Sequence, residues 1–210
     1  MTLSDLRRML DVSVGRADLA DQYDIWINRG VRAIQRDYNF NCMRHVAEVV
    51  MLSGTSSVQM PGDFKQLQIE KGAVALKDPV NNGRIPLFVK TRERMICQTQ
   101  LPNRQTSPDV YVSNDGEFAF LNILDNTTSD TTFEIAYFRY LPKLEAGNDQ
   151  NYFTIEFEDM VQARVKEVAF SVINDPLEAA EKAKYRIQLA EAKVFDTLQR
   201  MQGRTVQMGG

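Results

Sequence analysis

The chain changes texture twice, and those two changes constrain its fold more than any single motif. Up to about His45, apolar residues recur every three or four positions, and from Val46 to Tyr140 they fall in short β-rich runs broken by Gly, Pro, Asn and Ser. From Leu141 the helical period returns. Helices that each carry one apolar face need one another for cover, so a β block lying between them in sequence is expected to be an insertion. The expected class is α+β. A helical lobe is built from residues 1–45 and 141–202, an antiparallel sheet or small sandwich over 46–140 is inserted into it, and 203–210 is a flexible tail. At 210 residues, 43% of them apolar, such a chain buries a core without disulfide or metal staples.

The helical segments are legible from spacing. Leu3, Leu6, Met9 and Leu10 mark a helix over 2–11 with Thr2 or Ser4 as N-cap. Leu19, Tyr23, Trp26, Ile27, Gly30, Ile34 and Tyr38 mark a longer one from Asp18 to Tyr38, whose other face carries Asp21, Asp24, Arg29, Arg32, Arg36 and Asp37. Phe157, Met160, Val161, Val165, Val168, Ala169 and Val172 mark the third, which stops at Asn174-Asp175-Pro176. The last starts with Pro176 at its first position, carries the stripe Ala183, Ile187, Ala190, Val194 and Leu198, and ends at Gly203. That stripe is thin and Ala-rich, so its burial is expected to be completed by another subunit.

In the β block, strands are expected near Val46–Leu52, Ser57–Met60, Lys65–Glu70, Ala73–Leu76, Ile85–Val89, Val110–Ser113, Glu117–Leu124 and Thr132–Tyr140, with a short helix at Thr91–Cys97. Phe118, Phe120, Leu121 and Ile123, then Phe133, Ile135 and Tyr137, alternate with polar residues, and Asp125–Thr131 reads as the turn of a hairpin between them.

Chemistry is sparse. Cys42, Cys97 and the single histidine, His45, form no zinc-type ligand set, and no cofactor or metal site is expected. There is no Gly-x-Ser-x-Gly elbow to partner His45, no phosphate-binding glycine loop and no Ca²⁺-loop register at Asn148–Asn151. Glu156, Glu158 and Asp159 are clustered, and paired carboxylates can hydrolyse glycosides when one is desolvated. Their place at a helix start favours a dipole role instead. A formal charge of −3 gives no footprint for nucleic acid or an anionic membrane, and Arg7-Arg8 with Arg92, Arg94 and Arg104 are the only basic clusters. Met9, Met43, Met51, Met95 and Met160 could line adaptable contacts, and most of them are expected in core packing. With no apolar run of about 18 residues and no basic or apolar leader at Met1–Asp5, the expectation is a soluble chain in a reducing compartment, without membrane contact.

Three stretches resemble a known family. Ile25-Trp26-Ile27-Asn28-Arg29-Gly30-Val31-Arg32-Ala33-Ile34-Gln35-Arg36 followed by Tyr38-Asn39-Phe40, then Ser57-Val58-Gln59-Met60-Pro61-Gly62-Asp63-Phe64, then Phe133-Glu134-Ile135-Ala136-Tyr137-Phe138-Arg139-Tyr140-Leu141-Pro142, occur in the order and spacing of the head-to-tail adaptors of tailed bacteriophages, the group that includes tail tubular protein A. In the second stretch Pro61 and Gly62 are expected to set a turn, Asp63 to cap backbone amides and Phe64 to return to the core. The resemblance implies a structural virion protein at the head–tail junction and no enzyme. It implies a homo-oligomeric ring of about twelve copies that binds the portal protein and the downstream tail nozzle protein, and lets DNA through the channel without binding it specifically. By the same analogy the helical lobe meets the portal and neighbouring copies. Two other readings stand beside it: a tail-associated cell-wall hydrolase using Glu156 or Glu158 as acid, and a head-completion connector of a long-tailed phage, against which the large β block argues.

Overall fold

A computed structural model describes residues 1–68, 73–77, 83–93, 109–115, 118–124 and 126–207. It is an α+β protein that divides into two compact units, one of residues Met1–Met43 with Tyr140–Gly210 and one of Arg44–Arg139.

The first unit is helical. Helix α1 (Leu3–Val14) starts in a reciprocal cap, in which the Thr2 hydroxyl accepts from the Asp5 amide at 3.2 Å and the Asp5 carboxylate accepts from the Thr2 amide at 2.8 Å. It ends at Gly15 in the left-handed region, φ 62°. Residues Ala17–Gln22 form a 3₁₀ helix, so α2 (Tyr23–Asp37) begins five residues later than the apolar period predicts. Helix α3 (Tyr152–Glu156) is a single capped turn leading into α4 (Glu158–Ile173). Helix α5 is the longest, Glu178–Gln207. Pro176 stands in the turn before α5, where the Asp175 carboxylate accepts from the Leu177 amide at 2.8 Å. At the other end α5 runs straight through Gly203, because one helical Gly costs about 1 kcal/mol against Ala and does not by itself end a helix.

Helix α4 is the centre of this unit, packed against α1, α2 and α5. Gly30 is what lets α2 in: a Cβ there would lie 2.9 Å from Val165 Cγ2 and 3.1 Å from Val165 Cα. The returning chain is clamped to the same helix. The Asn28 amide both accepts from Leu144 N (2.9 Å) and donates to Leu144 O (3.0 Å), and Gln35 Oε1 accepts from Leu141 N at 2.7 Å.

Among the described residues the second unit holds eight strands: β1 (Arg44–Met51), β2 (Ser57–Gln59), β3 (Phe64–Leu67), β4 (Val74–Lys77), β5 (Arg84–Leu87), β6 (Tyr111–Asp115), β7 (Phe118–Asn122) and β8 (Thr131–Arg139). One sheet runs β1-β8-β4-β5, with β3 also on β8, and the other runs β2-β7-β6; every strand pair is antiparallel. Met51, Met60, Val74, Leu87, Val110, Leu121, Phe133, Ile135 and Tyr137 form one core drawn from both sheets. The expected hairpin between β7 and β8 does not form, since β7 pairs with β2 and β6 while β8 pairs with β1, β3 and β4. Alternation marks a strand as half-buried and leaves its partner open, and here the connection is tied elsewhere, with Thr127 bonded to Gly54 and Thr55 through its backbone. On β7 the core face is Ala119 and Leu121, followed by Ile123 just past the strand, leaving Phe118 exposed and Phe120 half-buried. Residues 94–97 of the expected short helix, Ile69, Glu70 and Asp125 lie outside the described residues, as do Arg94 and Arg104.

Candidate interaction surface

The two faces of α5 invert the ordinary rule. Among the described residues its inward face carries Tyr185, Ala192 and Asp196, each 3% exposed, so two of these three buried side chains are polar. The Tyr185 hydroxyl donates to Asp37 Oδ2 at 2.7 Å, and the Arg164 guanidinium lies 4.7 Å from the Tyr185 ring centre while donating to Glu167 Oε2 at 2.5 Å. Burial first, then the bond to Asp37, push the Tyr185 phenol well above its ordinary range. About one turn on from Ala192, Asp196 Oδ1 accepts from the Asn41 amide at 2.6 Å and its carboxylate pairs with Arg200 at 2.8 Å. Burial of this face therefore holds α5 through hydrogen bonds to the end of α2 and the segment after it.

The outward face is apolar. Ile187, Val194, Leu198 and Met201 are 60%, 61%, 53% and 60% exposed, and Ala183 before them and Ala190 among them are exposed too. The stripe that sequence spacing identifies is thus the solvent face of the helix and not its packing face. From Ala183 to Met201 it averages close to 3.6 residues per repeat, so it runs straight along about 27 Å of helix. With Phe195 beside it, it offers on the order of 500 Å² of continuous apolar surface, the size of the largest patch on an ordinary monomer, which is often a functional one.

Next to the stripe, still within the helical unit, lies an open groove of about 550 Å³. Its apolar part is Ile155, Phe157 and Phe195, and its carboxylates are Glu156, Glu158, Asp159 and Glu191. An aromatic chain, Phe40 to Phe157 at 5.6 Å and Phe157 to Phe195 at 5.8 Å between ring centres, ties its floor to the core. Glu158 and Asp159 sit in the first turn of α4, the place that the helix dipole favours. The Met1 amine lies 3.6 Å from Glu158. All four carboxylates are exposed, whereas hydrolase chemistry needs one of them held away from water.

Several other sequence-derived candidates are taken up in packing. His45, in β1, stands edge-on to Tyr137 at 5.6 Å. Among the described residues Asp63 caps no backbone amide; its carboxylate accepts the Tyr137 hydroxyl at 2.8 Å, and burial first, then this bond, raises that phenol's affinity for its proton. Pro61 accepts from the Phe64 amide at 2.9 Å, closing the expected turn, and Phe64 stacks at 5.6 Å on Tyr137. Of the polar face of α2, Asp24 is taken up by a two-pronged pair with Arg7 at 2.5 and 2.6 Å, which lowers the carboxyl's pKa, and Arg32 lies over the Tyr140 ring. Among the described residues no group of three or more His, Cys, Asp and Glu side chains could hold a metal, and no helix is long and apolar enough to cross a membrane.

The residues that carry the resemblance are therefore those that pin the fold. Asn28, Gly30 and Gln35 lock α2 to its neighbours, Asp63 and Tyr137 lock the turn to β8, and Tyr140 is capped by Arg32. A family model for the SU10 adaptor protein matches residues 1–208. No curated protein matches the chain.

Proposed function

We propose that this chain, which belongs to the SU10 adaptor protein family and is thus a phage structural protein, forms the ring that joins the portal to the tail. About twelve copies stand at the head–tail junction of the virion, bind the portal protein on one side and the downstream tail nozzle protein on the other, and leave the channel open to DNA. The single observation that carries this reading is the outward apolar stripe of α5, a surface that a chain working alone would not keep. The protomer has a complete core in each unit, so it is expected to be soluble as a monomer and to form the ring on the portal as template. A net charge of −3 is compatible with a ring around DNA that does not hold its phosphates.

Light scattering on the purified protein, alone and mixed with portal rings, tests this. A monomer that becomes a ring of about twelve copies only with the portal supports the adaptor reading. A monomer that ignores the portal overturns it, and clearing of peptidoglycan by that monomer would move the function to the carboxylates of the groove.

A further inference from the structure

The groove and the basic edge of the last helix complement each other and cannot meet within one copy. The groove offers Ile155, Phe157 and Phe195 beside Glu156, Glu158, Asp159 and Glu191, with no Lys or Arg among its lining residues. The last helix offers Ile187 and Val194 beside an exposed basic edge, Lys182 and Arg186. No ion pair engages either of those two cations among the described residues. Because each residue turns an α-helix by about 100°, Arg186 and the groove-lining Gln188 point to nearly opposite sides of α5. One rigid helix thus supplies a wall of the groove on one side and the basic, apolar edge on the other, and its own edge has no path into its own groove.

We propose that the acidic, apolar-floored groove beside α3 and α4 receives the Lys182–Arg186 edge and the Ile187–Val194 stripe of α5 from a second copy of this chain. The contact joins two different surfaces, so each copy that docks leaves one free groove and one free edge, and the association propagates until it closes. Attraction between the rims orients the approach, and the apolar strip is the part that loses water. The proposal deepens the ring reading by naming the surfaces, and it rests on that reading only in that copies associate.

Two charge-reversed chains test it. Variant one is Glu156→Lys with Asp159→Lys and Glu191→Lys, which leaves three cations against Glu158 in the groove, variant two is Lys182→Glu with Arg186→Glu, and all five positions are exposed, so both variants are expected to melt within a few degrees of the wild type. On portal rings, each variant alone should associate at least tenfold more weakly than the wild type, since like charges then face each other. A one-to-one mixture should recover assembly, because the basic edge of variant one fits the acidic groove of variant two and the acidic edge of variant two fits the basic groove of variant one. Wild-type rings with both variants assembling normally, or with no recovery in the mixture, overturn the groove contact and leave the adaptor reading standing. If the wild type ignores the portal, the adaptor reading falls and the contact is read without a template. Carbodiimide treatment of a concentrated mixture of isotopically light and heavy protein should then link Lys182 to Glu156 or Glu191 between copies, and absence of that link overturns the proposal.

Discussion

Helices α4 and α5 lie side by side in the same unit and solve opposite problems. Helix α4 buries Met160, Val161, Ala163, Val165, Ala169 and Phe170, and its neighbours cover it on several sides. Helix α5 buries Tyr185, Ala192 and Asp196 and turns its aliphatic residues outward. A helix held by hydrogen bonds and charge pairs on its inner face keeps its apolar residues for something outside the chain. The difference teaches that apolar period reports a face that will be covered, and not by what.

The comparison breaks first if α4 is not the structural centre. Phe170→Ala, at a side chain 3% exposed, is expected to lower the unfolding free energy by about 3–5 kcal/mol, read from urea denaturation followed by circular dichroism. Gly30→Ala should follow at about 1–3 kcal/mol, because the new Cβ meets Val165 Cα, backbone that cannot rotate away. Were Gly30→Ala to stabilise the protein, as a helix propensity gain alone would have it, the close approach of α2 and α4 would be wrong.

How much of this was legible in the sequence follows the same division. The helices, the β block and the class came through because period and turn residues are local signals: Leu3, Leu6 and Leu10 are buried in α1 as their spacing requires, and β8 runs over almost the residues that alternation marks. Partnership was not legible. Phe118–Leu124 and Thr132–Tyr140 alternate as a hairpin would, yet they go to different sheets, because pairing is set by residues far away in the chain. The apolar stripe of α5 is legible from spacing, but its inner face is not, since Tyr185 and Asp196 do not look like core residues until Asp37 and Asn41 are placed against them. The groove was read only as a charge cluster at a helix start, because Phe195, which completes its floor, comes from α5, more than thirty residues on.

The polar attachment of α5 predicts a smaller and pH-dependent effect. Tyr185→Phe removes one buried hydrogen bond and should cost about 1 kcal/mol, less than a cavity on α4, because Asp37 keeps partial access to water. The folded phenol holds its proton more tightly than the ordinary value of 10.0 allows, so its contribution is full below about pH 10 and is lost as pH rises further, where the unfolded chain releases the proton. Denaturation midpoints taken from pH 8 to 11 should therefore fall less steeply in Tyr185→Phe than in the wild type. Some alkaline loss should remain, since Tyr137 is raised in the same direction by burial and Asp63. Equal slopes would mean that Tyr185 does not anchor α5 as its geometry indicates.

The smallest effect on the monomer decides the comparison. Leu198→Ser, at a side chain 53% exposed, should leave the free energy of unfolding within about 0.5 kcal/mol of the wild type, whereas Val161→Ser on α4, at 0% exposed, should destabilise it severalfold more. The two substitutions remove similar apolar volume from neighbouring helices, so the ratio of their effects measures cover directly. A ratio near one would mean that the stripe is already covered within one copy, and the outward face would then need no partner. A large ratio, together with loss of assembly on portal rings for Leu198→Ser alone, assigns the stripe to contacts between molecules, because a residue that does nothing for its own fold and much for association has its partner elsewhere.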